Sequence, residues 1–581
     1  MTTRDLSPAR TALTLASGGL TLAGALLLVS PAAALDGTGT LRIDPSNGWK
    51  AFELISEGDD PSDDGDDYSM PGTFDGAGAY LVDANTLRVL VNHETGDASV
   101  SEVDLALADL ELAIERMIDT GALDGQTFVL GARQAYARWS DDGGASWTDT
   151  RDASNTSFGR FCSGQAYAPD TFGSDRGFVD HLYITGEEID GGRLFALDAA
   201  SRDFYQLSDV VGDAPGGLGG IRTDSWENAA LIDTGETNYV ALLLSPDGGT
   251  STLQLYVGEK GKDSSGDSSS EFLARNGLAY GSYYYLAGAL PDDGGTSVGG
   301  FQTNLGGGLS ASKMEDVDTS PSDPKRVVLG NQNFGTFVLD FDLDFSDGFD
   351  ADSSSFTITE IAAHGSGEAE LDSADNVDWT AATVLGGAAY PDGLIFVNED
   401  NSSGQIWQLE PDGSNPSLVG STNVGAESSG IFDLSPLVGY EPGSVLITNN
   451  QGDSSMTVLI NPAATPVAGQ CGDGICDGDE DEASCPEDCG GGDGDGDPGD
   501  GDPGDGDPGD GDPGDPGESG DGDPGDPGES GDESGTGGDA GFDDEASGCS
   551  CGAPEQGERT GWLAMLALVG VGVGRRRRAR A

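Results

Sequence analysis

Ser140-Asp141-Asp142-Gly143-Gly144-Ala145-Ser146-Trp147 is the stretch on which the reading of the fold turns. It fits the Asp-box pattern Ser-x-Asp-x-Gly-x-Ser/Thr-Trp. In that pattern the Asp closes a tight turn, Gly supplies a positive φ and Trp packs beneath a hairpin. Asp-boxes recur in β-propellers and also occur in other folds, so the surrounding strands have to decide between them. Short runs rich in β-branched, aromatic or aliphatic residues lie at 86–92, 180–185, 192–197, 239–244, 252–257, 326–329, 336–339, 394–397, 405–409 and 444–448. Turns of Gly, Asp, Asn and Ser separate many of them, as in a hairpin-rich all-β protein. A helical spacing of apolar residues marks 103–120 as a decoration on a loop. About 430 residues of such sequence exceed one simple core unless the core repeats. The expected fold class is therefore all-β: a β-propeller over 35–465 of five to seven blades, six favoured, with a pair of β-sandwiches as runner-up.

Outside this body the composition changes abruptly. Residues 1–34 read as a signal peptide: Arg4 and Arg10, an apolar run from Leu13 to Val29, then Ala-rich small residues ending at Ala34. Residues 471–489 form an acidic cysteine-rich module. Its Cys471, Cys476, Cys485 and Cys489 are disulfide candidates in an oxidising compartment, with three pairings open. Residues 490–548 are Gly, Asp, Pro, Ser and Glu in repeats that cannot bury a core, which reads as a disordered, extended stalk. Residues 549–581 carry Cys549 and Cys551, a short apolar stretch from Gly561 to Gly574 and the basic cluster Arg575–Arg578. That apolar stretch is shorter than the ~20 residues of a comfortable membrane helix, and the arginines would stay on the cytoplasmic side. The order resembles the tripartite C-terminal sorting signals of myxobacterial surface proteins, which implies anchor processing near Cys549 or Cys551. The expected protein is exported, handled by export and C-terminal processing machinery, and held at the cell surface or outer envelope through a membrane anchor.

The formal charge is −77. The stalk is not its only source, because residues 35–470 hold 71 acidic against 18 basic side chains. A body of that sign argues against nucleic acid as a partner. Bound divalent cations would relieve its self-repulsion. A serine or cysteine hydrolase also fits poorly, since the chain has three histidines and no Gly-x-Ser-x-Gly elbow. Gly216–Gly220 lacks the spacing of a dinucleotide loop and reads as a surface turn.

The recurring feature of the body is a strand that finishes in carboxylates. The instances are Glu94, Glu187-Glu188, Glu227, Glu259, Glu315-Asp316, Asp375, Glu399-Asp400 and Glu427. In a propeller, strands converge on one funnel, and converging carboxylates cannot all stay charged without a counter-ion. A hard cation with six to eight oxygen ligands, such as calcium, suits that set.

Val91-Asn92-His93-Glu94, Arg160-Phe161-Cys162-Ser163-Gly164, Ile184-Thr185-Gly186-Glu187-Glu188, Trp226-Glu227-Asn228, Tyr256-Val257-Gly258-Glu259-Lys260, Met314-Glu315-Asp316, Tyr390–Leu394 and Glu427–Ile431 occur in the order seen in PhoX-type alkaline phosphatases. The chain resembles that family over roughly residues 45–460. The resemblance implies a β-propeller phosphomonoesterase with calcium and iron (Ca2+ and Fe3+) in the funnel, and phosphate-ester small molecules as substrates. By the same resemblance Cys162 would be the iron-binding thiolate, with Glu187, Glu188, Glu227, Glu315 and Glu427 among the oxygen ligands. The chain departs from the family in having Ser163-Gly164, not acidic residues, directly after that cysteine. Lys260 and Arg222 are the basic residues named for phosphate. The alternative is a non-catalytic, calcium-stabilised propeller for adhesion or ligand binding. Cys162 discriminates: it should sit among carboxylates in the enzyme and in apolar packing in the binder.

Overall fold

The structure is a computed structural model, and it describes residues 40–467 except 62–67, 124, 126, 151–157 and 366–369. The leader, cysteine-rich module, stalk and anchor lie outside the described residues. Among the described residues no helix is long and apolar enough to cross a membrane.

Six blades of mainly antiparallel strands follow one another along the chain, with the innermost strands Phe74–Asp83, Phe161–Tyr167, Trp226–Ile232, Met314–Thr319, Ala374–Trp379 and Ser428–Asp433. Each innermost strand packs on those of the two neighbouring blades, and the sixth packs on the first, so the ring is closed. Blades three and four are also joined edge to edge, through Thr296–Gln302 pairing with Asp350–Ala363. The N-terminal strands complete the C-terminal blades. Ile43–Pro45 pairs with Ser417–Thr422 at the edge of blade five, and Lys50–Ser56 pairs with Ser455–Ile460 as the outer strand of blade six. Mixing the two chain ends in one sheet seals the circle with backbone hydrogen bonds.

The hydrophobic core is correspondingly divided. Six separate apolar clusters fill the six interfaces between blades, one for each interface. Between blades one and two, for example, Phe158, Phe161, Phe195 and Phe204 stack edge to face and face to face. Pair packing of this kind fixes the angle at which neighbouring sheets meet.

The strand expectations coincide with the second strand of every blade and the third strand of blades two to five, whereas the third strands of blades one and six, Ser99–Ala106 and Ser455–Ile460, were not among them. The helix is shorter than its apolar spacing suggested. Residues 103–106 end the strand Ser99–Ala106, and the helix is Leu107–Thr120, packed by Leu110, Ala113, Ile114 and Met117 on blade one. The Asp-box lies on the outer edge of blade two. There Asp142 Oδ1 accepts the Ser146 N–H at 2.8 Å, and Trp147 packs between Arg138 and Tyr205. It is a rim hairpin, remote in role from the funnel.

Candidate metal centre

One end of the funnel repeats a single design. In each blade the innermost strand starts there and the second strand finishes there, so the two bring neighbouring residues to the axis. The pairs are Asp75 with Glu94, Cys162 with Glu188, Glu227 with Asp247, Glu315 with Gln332, and Asp375 with Asp400. In blade six Ser429 and Gln451 occupy the corresponding places, and Glu427 lies one residue before the innermost strand Ser428–Asp433. Four innermost strands are entered through a non-glycine residue in the left-handed region, at Thr73, Arg160, Lys313 and Ser373 with φ between 43° and 56°. In each case the side chain two residues later faces the funnel. Conformations of that kind cost energy and persist where the surroundings impose them, commonly at functional sites.

The strand period of two explains which member of each acidic pair arrives. Glu188 and Asp400 face the axis, whereas Glu187 and Glu399 turn into their own blades. Glu187 accepts Arg193 Nε at 2.6 Å and the Gly159 N–H at 2.9 Å. Glu399 accepts the Asp372 N–H at 2.7 Å and Trp407 Nε1 at 2.9 Å. Asp316 sits one step down the axis, held by Asn228 and by the Val317 and Val377 N–H groups. Glu259 lies at the periphery, 4.0 Å from Lys262. Lys260 donates to the Asp175 carbonyl, and Arg222 pairs with Asp209 and Asp213. The cations at the funnel are instead Arg160, paired with Glu94 and with Glu188 at 2.7 Å, and Lys313, at 2.7 Å from Asp247 and 3.1 Å from Glu315. Asp75, Asp247, Arg160, Lys313 and Gln451 were not among the site candidates named from the sequence. For Asp247 a signal existed, since it follows its strand in the same register as Glu94, Glu188 and Asp400.

Three overlapping groups could each hold an ion, with ligand atoms inside 4.8 Å of one another: Asp75–Glu94–Cys162, Cys162–Glu188–Glu227 and Glu227–Glu315–Asp375. Cys162 belongs to two of them and Glu227 to two. Glu427 completes the ring, sharing a hydrogen bond with Asp400 and feeling the charges of Asp75 and Glu94.

Electrostatically the arrangement is costly without cations. Burial, then the neighbouring Glu227, raises Glu188 to about 9. Burial raises Glu227 to about 7. Burial pushes Asp75, Glu315, Asp375 and Glu427 well above the carboxylate range, with nearby acids adding to it. The Cys162 thiol is likewise driven up by burial and by Glu188, and it donates to Glu188 Oε2 at 2.9 Å. A bound cation reverses this logic, because it stabilises carboxylates and thiolate together. Asp247 Oδ1 is buried with no hydrogen-bond partner, which is the state expected of a ligand atom waiting for its ion.

Ser163-Gly164 after the cysteine also has a physical account. Ser163 Oγ donates to Glu227 Oε1 at 2.6 Å and accepts from Asn376 Nδ2 at 2.8 Å, so it fixes the orientation of a shared ligand. At Gly164 a Cβ would run into the Tyr183 hydroxyl, and at Gly76 it would lie 2.5 Å from the Gly164 nitrogen. The innermost strands of blades one and two approach too closely here for any side chain.

No family model matches the chain, and no curated protein matches it. Among solved structures it is similar to Pseudomonas fluorescens PhoX in complex with vanadate, described as a transition state analogue. Identity there is 13%, over 74% of this chain and 97% of that one, with a TM-score of 0.49. It is also similar to the Dos1 propeller, at 9% identity over 68% of each chain and a TM-score of 0.29. The β-propeller domain of Cps50 (Swd1) from Myceliophteria thermophila matches at 8% identity over 67% of this chain and 97% of that one, with a TM-score of 0.29.

Proposed function

We propose that this chain is a metal-dependent hydrolase of phosphate monoesters, exported and tethered at the cell surface by its C-terminal segment. The observation that carries the proposal is the place of Cys162: its sulfur lies within a shell of Glu188, Glu227, Asp75 and Glu94. A binding propeller stabilised by calcium has no need of a thiol there. An all-oxygen group such as Glu227–Glu315–Asp375 suits calcium, whereas the groups that include Cys162 offer the softer ligand that iron accepts.

Bound cations would supply charge neutralisation for an anionic ester and for the charge that develops as it is cleaved. The protein's own groups have separate tasks. Glu227, oriented by Ser163, bridges two of the groups and fixes their spacing. Arg160 and Lys313 are engaged with carboxylates, and both are partly exposed at the funnel. Both would lie beside the cation ligands as positive charges facing an incoming phosphate. The cysteine-rich module and extended stalk would then hold the propeller away from the membrane in an oxidising, calcium-rich medium.

The test is metal analysis of the purified protein together with turnover of a chromogenic phosphate ester. Iron and calcium should both be bound, and chelation should abolish turnover. A folded protein loaded with calcium and supplied with iron that cleaves no phosphate ester would favour the binding propeller.

A further inference from the structure

In every blade the turn that follows the second strand stands at the funnel end, because that strand finishes there. Four of the six turns carry only small or polar residues: 95–98, 248–250, 401–404 and 452–454 are built of Gly, Ala, Ser, Thr, Asn and Asp. Blades two and four differ. Ile189 follows Glu188 directly and is 39% exposed, and Phe334 lies two residues after Gln332 and is 48% exposed. A single exposed apolar residue needs no explanation. These two are set apart by where they stand.

Blades two and four are also the blades that bring the basic residues Arg160 and Lys313 to the funnel. In both, the backbone at the turn is bonded to the basic residue of the same blade. The Glu188 N–H donates to the Arg160 carbonyl at 2.9 Å, and the Gln332 N–H donates to the Lys313 carbonyl at 3.3 Å. Ile189 rests on the entry to its strand, since a Cβ on Gly159 would lie 2.9 Å from its Cδ1. The turn under Phe334 is held by Asn331, whose Oδ1 accepts the Asn333 and Phe334 N–H groups at 3.0 and 2.9 Å. The Asn331 Nδ2 in turn donates to the Ser312 carbonyl at 3.0 Å, next to Lys313. Turns fixed in this way are pre-organised, so covering their side chains with a ligand costs little freedom of the protein. Blade three lies between the two, and its Glu227 belongs to two of the three candidate ion groups.

We propose that Ile189 and Phe334 receive the alcohol portion of the substrate, so that the preferred esters are those of aromatic or otherwise apolar alcohols, and not those of sugars or polyols. This specificity rests on the phosphatase reading of the same site. Such an ester is anionic at its phosphate and apolar beyond it. The rim has the complementary order: positive charge at the strand entries, and an apolar side chain on the turn bonded to each. Contact with an apolar alcohol removes surface of both side chains from water, a gain that a hydroxylated alcohol cannot match. Neither residue makes or breaks a bond. They act alike on the bound substrate and the transition state, so their contribution should appear in KM.

Steady-state kinetics on 2-phenylethyl phosphate and glycerol 1-phosphate tests it. Both are primary alkyl esters, so a difference between them reports recognition and not the leaving group. With calcium and iron bound, the wild type should show a kcat/KM for 2-phenylethyl phosphate at least ~10-fold above that for glycerol 1-phosphate. Phe334→Ser and Ile189→Ser should each lower that ratio by about 3- to 10-fold through a higher KM, with metal content and denaturation midpoint unchanged. Phe334→Tyr keeps the ring and should retain the ratio within about twofold. Val384→Ser is the control: Val384 is 53% exposed in the segment that follows the innermost strand of blade five, at the opposite end of the ring, and its loss should not move the ratio. Equal efficiency of the wild type on the two esters, or an unchanged ratio in the serine variants, would overturn the assignment while the phosphatase reading stands. Turnover of neither ester by the metal-loaded wild type would overturn that reading, and this specificity with it.

Discussion

The Cys162 sulfur donates to Glu188 Oε2 at 2.9 Å, joining the start of one strand to the end of its neighbour at the funnel of blade two. The two residues are 26 positions apart in the chain. The contact exists because an innermost strand entered through a left-handed Arg160 brings Cys162 beside Glu188, the residue that follows the end of the neighbouring strand Leu182–Glu187.

Cys162→Ser should therefore separate the two metals. Serine retains an oxygen but loses the soft ligand, so iron content should fall to near zero while calcium is largely retained. Phosphate-ester turnover should drop at least ~100-fold, because ligand losses exceed the 10–100-fold typical of supporting groups. Elemental analysis and a chromogenic assay on the same preparation read both effects.

The pH dependence of stability should have opposite signs with and without metal. In the metal-free protein Glu188 is raised to about 9, Asp316 to about 8 and Glu227 to about 7, all mainly by burial. The folded state therefore binds more protons than the unfolded chain from about pH 9 down to the ordinary carboxylate range, and stability should rise as pH falls through that window. His93 opposes this at the acidic end. Burial lowers it to about 4 from 6.5, so its neutral form costs stability, up to ~3 kcal/mol, as pH falls from 6.5 to 4. One histidine against at least three raised carboxyls only lessens the slope, so metal-free stability should keep rising on acidification down to the ordinary carboxylate range. With saturating calcium, protons compete with the ion, so stability should fall on acidification. Calorimetric midpoints at pH 9, 8 and 7, in chelator and in calcium, would show the crossing. Parallel slopes in the two series would refute the cation assignment.

Gly76→Ala should damage the site without touching a ligand. The added Cβ would lie 2.5 Å from the Gly164 nitrogen and 2.6 Å from the Cys162 carbonyl, both backbone atoms that cannot step aside. Overpacking of this kind costs about 1–3 kcal/mol. Because the displaced strand carries Cys162, iron affinity should fall together with the denaturation midpoint. Gly58→Ala is the control: no atom would lie within 4 Å of its Cβ and only its φ of 83° is strained, so iron content should not change.

The outer parts of each blade were legible in the sequence because they are made of what strand patterns detect. Thr86–His93, Tyr239–Pro246 and Gln405–Leu409 are apolar and β-branched or aromatic, and they fill the interfaces between blades. The innermost strands were less legible. Ser428-Ser429-Gly430 and Ala374-Asp375-Asn376 lack the apolar and β-branched runs that mark a strand, since side chains this close to the axis are small or polar. Gly430 shows the constraint, because a Cβ there would run into the Asp75 carbonyl of the next blade. Of the ligand candidates named from the sequence, Glu94, Cys162, Glu188, Glu227, Glu315, Asp375, Asp400 and Glu427 reach the centre. Glu187 and Glu399 could not be told from their neighbours until register was known, since one residue of slip turns a strand's side chain to the other face.

By itself, the sequence determined an all-β propeller body of strongly negative charge, with acids recurring at strand ends. Those properties are local, set by composition, period and turn chemistry. The tertiary structure decided that there are six blades, that Asp75 and Asp247 join the centre, and that Arg160 and Lys313 are its cations. Each of these depends on which residues of different blades stand at the same height along the axis. That height is set by ring closure and strand register, and neither is written in any single stretch of the chain.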